Sequence, residues 1–274
     1  MNGTRTHIGL FTFFLFLLFG QSALSQLVLP GHAHNDYLNK PALFEALNAK
    51  LISVEADVHL MKGELIVAHV RPLARNKKRL LENLYLKPLF EHVQYNQGKV
   101  YPNYDGPFYL MIDFKNGSEE MLAQLIALLN KYKSMLTIIE NGEMKQGAVT
   151  VFLSGSRPTD AVLNAEPKLA FLDGRPSDIG KGYSADVMPV ISDNYHSHSS
   201  WNGNGKISDE EDAKLGTLVS KTHDEGKLLR LWASPDNPNA WATFRRIGVD
   251  LINTNKPKKF SETMLFIGGG CPSF

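Results

Sequence analysis

Residues 29–70 read LPGHAHNDYLNKPALFEALNAKLISVEADVHLMKGELIVAHV. Three polar clusters stand in this stretch: His32, His34, Asn35 and Asp36; then Glu55 and Asp57; then His69. An apolar run precedes each one: Leu27-Val28-Leu29, then Leu51-Ile52 with Val54, then Leu65-Ile66-Val67-Ala68. Polar residues that close such runs mark the C-terminal ends of buried strands. Residues i and i+2 of a strand share a face. Glu55 and Asp57 therefore point the same way, and so do His32 and His34 if the first strand reaches that far. Two carboxylates on one face repel, and burying them is costly unless a cation or protons offset the charge. A hard divalent cation takes oxygen ligands of this kind, and Mg²⁺ or Ca²⁺ suits them better than zinc.

Outward from that stretch the chain keeps alternating. PALFEALNAK (41–50) has helical spacing with Asn39 as its cap, strand 51–58 follows, and 64–69 adds an extended segment after Lys62-Gly63. LLENLYLKPLFEHV reads as helix, and QGKVYPNYDGP as a loop placed to overhang the mouth of the fold. FYLMIDFKNG is a buried strand ending in Asp113 and Lys115, again i and i+2. Ser118 caps the most regular amphipathic helix, SEEMLAQLIALLNKYKSML. Strand AVTVFLSG, helix PTDAVLNA, strands KLAFLDG and VMPVISDN, helix 209–226, strand LLRLWAS, helix NAWATFRRIG and strand VDLINTN complete the chain. About eight strands alternating with helices predict a parallel sheet closed as a TIM-type (β/α)8 barrel, α/β in class, irregular in places and forming a single domain.

Composition narrows the function. The chain has 274 residues and a net charge of +1. Its only Lys/Arg blocks are Lys77–Arg79 and Lys256–Lys259. That excludes nucleic acid as the main partner but leaves a transient contact with an anionic membrane surface open. No protein partner is evident. At the N-terminus Arg5 precedes an apolar run from Ile8 to Gly20, and Ala23-Leu24-Ser25 fits a small-x-small cleavage site. Residues 1–25 are expected to be a signal peptide and 26–274 the mature barrel, secreted or periplasmic. The apolar run is short for a membrane span. Cys271 is the one cysteine, so an internal disulfide is excluded.

AHNDYL (33–38), VEADV (54–58) and AHV (68–70) together resemble the front half of the barrel shared by phosphoinositide-specific phospholipases C and glycerophosphodiester phosphodiesterases. In that superfamily a His ends the first strand, a Glu-x-Asp pair ends the second, and another His follows. His34-Asn35 matches the phospholipase C branch, whereas the phosphodiesterase branch usually has His-Arg there. Val70 stands where that second branch commonly carries Asp. IDFKNG (112–117) resembles the FDLK-type segment of the secreted phospholipase D branch, and GVDLINTNKP (248–257) the superfamily's last strand.

The resemblance implies a metal-dependent phosphoric diester hydrolase acting on a small-molecule or lipid phosphodiester. Glu55, Asp57, Asp113 and Asn35 would hold a divalent cation, Mg²⁺ or Ca²⁺. Lys115 would contact phosphate and Trp232 would line the pocket. His69 and one His of the HAH triplet would be the acid/base pair, a role imidazole suits because it titrates near neutrality. The longer match, His-Asn-x-Tyr-Leu, assigns the role to His34. An alternative alignment of GHAHN with the phospholipase D branch assigns it to His32.

Two rival readings stand beside this one. A zinc amidohydrolase-like barrel also begins with His-x-His, but it needs His at the ends of strands five and six and Asp at the end of strand eight. KLAFLDG, VMPVISDN and VDLINTN supply none of these. A catalytically inactive barrel that binds phosphorylated ligands is the other rival, and the intact pair of His34 and His69 argues against it. The stretch 200–211 mimics a calcium loop but starts with Ser in place of Asp. It reads as a loop over the mouth, with Ser208 capping the next helix; roles for His196 and His198 stay open.

Overall fold

The computed structural model describes residues 27–268. The expected signal peptide and Cys271 lie outside them. The strands are β1 (Leu29–Ala33), β2 (Leu51–Met61), β3 (Glu64–Val67), β4 (Phe108–Phe114), β5 (Ile138–Glu140), β6 (Glu143–Lys145), β7 (Val149–Gly155), β8 (Phe171–Gly174), β9 (Val190–Asn194), β10 (Leu228–Trp232) and β11 (Leu251–Thr254). The α-helices are α1 (Phe44–Asn48), α2 (Lys87–Tyr95), α3 (Glu119–Asn130), α4 (Thr159–Leu163), α5 (Asp209–His223), α6 (Pro238–Ile247) and α7 (Pro257–Phe266). Eight strands run parallel around a ring in the order β1-β2-β4-β7-β8-β9-β10-β11, and β11 pairs back to β1. This is the closed TIM-type barrel, in one domain. It is irregular at β8–β9, where a short 3-10 turn (Pro176–Asp178) replaces the helix.

Three of the helices start at a side-chain cap. Ser118 accepts a hydrogen bond from Met121 N at the head of α3, Ser208 does so from Glu211 N for α5, and Asn237 from Ala240 N for α6. These caps satisfy amide donors that the first helical turn leaves unpaired. The α3 face made of Met121, Leu122, Leu125 and Leu129 is buried. Trp241 and Phe260 pack edge to face between α6 and α7. Burying side chains of this size contributes roughly 1.5–3 kcal/mol each. Gly31 admits β1 against α7, because a Cβ there would stand 2.8 Å from the Phe260 ring.

Three expectations change. Asn39 caps nothing: α1 begins at Phe44 with Leu43 before it, because Asp36 takes the local amide, Leu43 N, at 2.6 Å. Loop 97–107 lies at the opposite end from the mouth. Tyr101 OH donates to Leu51 O at the start of β2, and the loop feeds the first residue of β4. A segment that leaves a helix has already returned to the end where the strands begin. Residues 136–147 carry the β5–β6 hairpin, which the helix-strand reading passed over. Its signal was Asn141-Gly142, both at positive φ (54° and 77°), as a two-residue hairpin turn requires.

Candidate active site

The barrel's period-2 alternation assembles the site. Ser53, Glu55 and Asp57 share one face of β2, and the parallel register sets Asp57 beside Asp113 and Asp113 beside Ser154. On the other side His32 pairs with Ser53 and with Asn253. Glu55, Asp57 and Asp113 each offer a carboxylate oxygen within 4.8 Å of the others. Among the described residues no other His, Cys, Asp and Glu side chains form such a group. Gly155 makes room for it. Its φ is +68°, and a Cβ there would collide with Asp113 Oδ1 and Phe114 O.

Every carboxylate of the triad has cationic or donor neighbours. Asp57 Oδ2 accepts from Tyr37 OH and His69 Nδ1, both at 2.7 Å, and from Lys115 Nζ at 2.9 Å. Lys115 also reaches Asp113 Oδ2 at 3.0 Å. Glu55 Oε2 accepts from Arg230 Nη2 at 2.8 Å and from His32 Nε2 at 3.1 Å. Burial alone would raise the Glu55 pKa, but the Arg230 guanidinium and the His32 hydrogen bond outweigh it and hold the carboxyl well below its usual range. Burial raises the Asp113 pKa, and Lys115 offsets part of that. Burial likewise works against the Lys115 charge, yet the Asp113 and Asp57 carboxylates hold its pKa above the ordinary value.

The donor set fits a hard cation. It supplies three oxygens from three carboxylates, and Asp57 Oδ1 is buried with no hydrogen-bond partner. A lone buried anionic oxygen is costly unless a cation meets it. The Lys115 ammonium already occupies a cation's place between two of the three carboxylates.

The two histidines of the HAH triplet differ sharply. His34 N still bonds Thr254 O at 3.0 Å, so the β1 ladder reaches it, and Asn35 then turns the chain at φ 50°. His34 Nδ1 bonds Asn255 Oδ1 at 2.9 Å, which leaves Nε2 to act at the cavity. His32 is 0% exposed and pinned between Ser53 Oγ at 2.7 Å and Glu55. Burial, with Arg230 nearby, pushes its pKa down to about 3, so it is a neutral imidazole in the wall. His69 stands at the rim with its side chain 63% exposed, oriented by Asp57.

One cavity of about 360 Å³ gathers most of these groups. His34, Asn35, His69, Glu55, Asp113 and Lys115 line one side. Ser154, Gly155 and Arg175 line the other, with Met111, Arg230 and Trp232 completing it. The Tyr37 hydroxyl also lies 2.7 Å from Asn35 Oδ1, which ties Asn35 to the same network as Asp57. Every expected site residue is thus at the mouth except His32, behind its wall, and Asp57, buried beneath it. Loop 200–211 contributes nothing to the lining: Glu211 Oε1 gathers Ser199 Oγ, Ser200 N and Trp201 N, and Asn239 holds Gly203 O. His198 bonds Asp193 at 2.7 Å.

Arg230, Tyr37 and Arg175 escaped the sequence reading. Arg230-x-Trp232 and Asp173-x-Arg175 carry the same i, i+2 signal as Glu55-x-Asp57 and were there to be read. Tyr37 left no such trace, because its hydroxyl arrives from a turn.

The comparisons with known proteins agree with this fold. A family model described as the AIM6-like phosphodiesterase domain matches residues 24–173, and one for the glycerophosphoryl diester phosphodiesterase family matches 229–258. The altered inheritance of mitochondria protein 6 homolog of Arthroderma benhamiae is 30% identical over 262 residues, covering 83% of this chain and 81% of that protein. Its counterpart in Kluyveromyces lactis is 26% identical over 299 residues, covering 84% and 71%. Among solved structures, a glycerophosphodiester phosphodiesterase from Parabacteroides distasonis has a TM-score of 0.53 at 11% identity, covering 86% of this chain and 97% of that one. An Oleispira antarctica phosphodiesterase, solved in complex with the product sn-glycerol-3-phosphate, has a TM-score of 0.53 at 13% identity with the same coverage. These two establish the shared fold. The chain belongs to the AIM6-like phosphodiesterase family, within the barrel superfamily of the glycerophosphodiester phosphodiesterases.

Proposed function

We propose that the chain is a divalent-cation-dependent phosphoric diester hydrolase that acts by paired histidine acid/base catalysis on a glycerophosphodiester or phospholipid-type substrate. The observation that carries this reading is the meeting of the Glu55, Asp57 and Asp113 carboxylates with His34 and His69 around a single cavity. Glu55, Asp57 and Asp113, with Asn35, would hold Mg²⁺ or Ca²⁺. When bound, that ion would supply positive charge to a phosphate oxygen.

The chain's own groups do the rest. Asp57 fixes the His69 tautomer through Nδ1, which leaves Nε2 to exchange a proton with the substrate. Asn255 Oδ1, 2.9 Å from His34 Nδ1, orients that ring. One imidazole takes a proton from the attacking hydroxyl or water, and the other returns one to the leaving oxygen. Lys115 adds a cation for the phosphate once its carboxylate partners are otherwise engaged. His32, neutral and buried, orients Glu55.

Transient membrane contact belongs to the same proposal. Next to Tyr37 and His69, Leu38, Val70 and Leu73 are 66%, 75% and 104% exposed, beside exposed Lys77 and Lys78. Among the described residues no helix is long and apolar enough to cross a membrane. Export by signal-peptide cleavage after Ser25 completes the proposal, and the intact mass of the protein from its native host tests it. A product still carrying residues 1–25 would end that part.

The test of activity is hydrolysis of bis-(p-nitrophenyl) phosphate with Mg²⁺ or Ca²⁺, before and after a chelator. Chelator-sensitive turnover is expected. A protein that binds phosphodiesters with no turnover in either ion would be the inactive binding barrel instead.

A further inference from the structure

The far wall of the cavity holds a cation that the hydrolytic machinery does not use. Lys115 is engaged by Asp57 and Asp113, and Arg230 by Glu55 and Asn253. Arg175 touches none of these. It follows β8, which lies four places from β1 in the ring, so it faces His34 across the mouth.

Its guanidinium is held by one end only. Nη1 donates to Asp173 Oδ2 at 2.8 Å, to Gly174 O at 2.7 Å and to Asp173 O at 3.4 Å. Nη2 has one long contact, 3.4 Å to Ser154 Oγ, and Nε has none. The Nε–Nη2 edge is the side of the fork that grips a carboxylate or phosphate with two parallel bonds. That edge borders the cavity, because Ser154 lines it as well.

Two further features set this wall apart. Asp173 is 0% exposed and is also bound by Ser154 Oγ at 2.6 Å. A buried ion pair of this kind is weak evidence for stability, since apolar replacement is often neutral. What it does supply is a guanidinium held in one orientation. Arg157 lies beside it, donating to Gly155 O at 3.4 Å, with Nε buried and unpartnered. Burial and the neighbouring Arg175 charge both lower the Arg157 pKa. Asp173, Asp178 and Asp113 all act on Arg157, so charge here is balanced; what the wall leaves open is donors, the Arg175 Nε–Nη2 edge and the buried Arg157 Nε.

We propose that Arg175, with Arg157 behind it, recognises a second anionic group on the substrate, a carboxylate or phosphate carried by one of the two alcohols esterified to phosphorus. This rests on the phosphodiesterase reading and names its substrate class.

The test compares kcat/KM within two pairs of substrates. One pair is glycerophosphoinositol and glycerophosphoinositol 4-phosphate; the other is glycerophosphoethanolamine and glycerophosphoserine. The native enzyme should favour the anionic member of at least one pair, and the pair concerned tells phosphate from carboxylate. In Arg175→Gln the anionic-to-neutral ratio of that pair should fall about ten- to a hundredfold, chiefly through KM, as expected for a lost charged hydrogen bond. An Asp173→Asn/Arg175→Gln double variant, which leaves no lone buried charge, should show the same collapse. No preference in the native enzyme, or an unchanged ratio in the variants, overturns the proposal. If none of the four is hydrolysed, turnover of bis-(p-nitrophenyl) phosphate still decides the phosphodiesterase reading separately. Calorimetric binding of glycerophosphoinositol 4-phosphate then decides the subsite: binding weakened about tenfold or more by Arg175→Gln supports it, and binding that is absent or indifferent to Arg175 overturns it.

Discussion

The two walls of the barrel mouth are built from the same alternation and treat charge in opposite ways. On the β2–β4 wall three carboxylates crowd together, and Lys115, Arg230, His32 and His69 are drawn onto them. On the β7–β8 wall one buried carboxylate, Asp173, holds one arginine, and a second arginine stands by. The first wall has an excess of ligand oxygens suited to a cation. The second has an excess of donors suited to an anion. A phosphodiester bound with its reacting phosphate at the first wall and a charged substituent at the second would use both.

The largest expected effects lie on the first wall. His69→Ala and His34→Ala should each lower kcat by about a hundred- to ten-thousandfold, the usual loss of a general acid or base, with metal affinity nearly unchanged. His32→Ala should cost about ten- to a hundredfold, because it acts through Glu55. Steady-state kinetics with calorimetric metal titration checks all three. A dead His32→Ala enzyme beside an active His34→Ala enzyme would reverse the two assignments.

Arg230→Met tests how the first wall is balanced. It strands the buried Glu55 carboxylate without its main partner, and breaking a buried pair typically costs about 3–5 kcal/mol. Thermal unfolding of the metal-free protein should show the loss, and a saturating divalent cation should recover part of it. An unchanged Tm would mean that Arg230 does not balance the triad.

Smaller in effect, Gly155→Ala probes the seam between the walls. A methyl there displaces Asp113, so metal affinity should fall about tenfold while the fold survives. Smallest of all is an acid response away from both walls. Hydrogen bonds from Ser208, then Ser200 N and Ser199, lower the Glu211 pKa from 4.5 to about 2. A depressed carboxylate stabilises above its unfolded pKa and loses that contribution as pH falls through the folded value. Fluorescence of the buried Trp201 should therefore report a loosening of its loop from about pH 4.5 down to about pH 2, and Glu211→Gln should abolish that dependence.

The first wall was legible in the sequence because its parts repeat at i and i+2 on strands with unmistakable apolar runs. Glu55-x-Asp57, Asp113-x-Lys115 and the strand ends gave both the closed barrel and most of the cavity lining. The second wall carries the same spacing in Asp173-Gly-Arg175, but an Asp–Arg pair after a short strand looks like an ordinary salt bridge. Arg230 hid in LLRLW for the reverse reason, since an arginine inside an apolar strand makes sense only once Glu55 faces it. The burial of His32 depends on Ser53 from the neighbouring strand, which no local pattern reveals. Loop 97–107 was misplaced because its composition suits either end of a barrel, and only the direction of the preceding helix decides between them.

The most direct test of the account is equilibrium binding of Mg²⁺, Ca²⁺ or Mn²⁺ to the chelator-stripped protein, measured by calorimetry alongside the Asp57→Asn and His69→Ala variants. Stoichiometric binding to the native protein and to His69→Ala, and its loss in Asp57→Asn, is the result expected of a cation held by Glu55, Asp57 and Asp113. Undiminished binding in Asp57→Asn, or full phosphodiesterase turnover by a native protein that binds no metal, would contradict it.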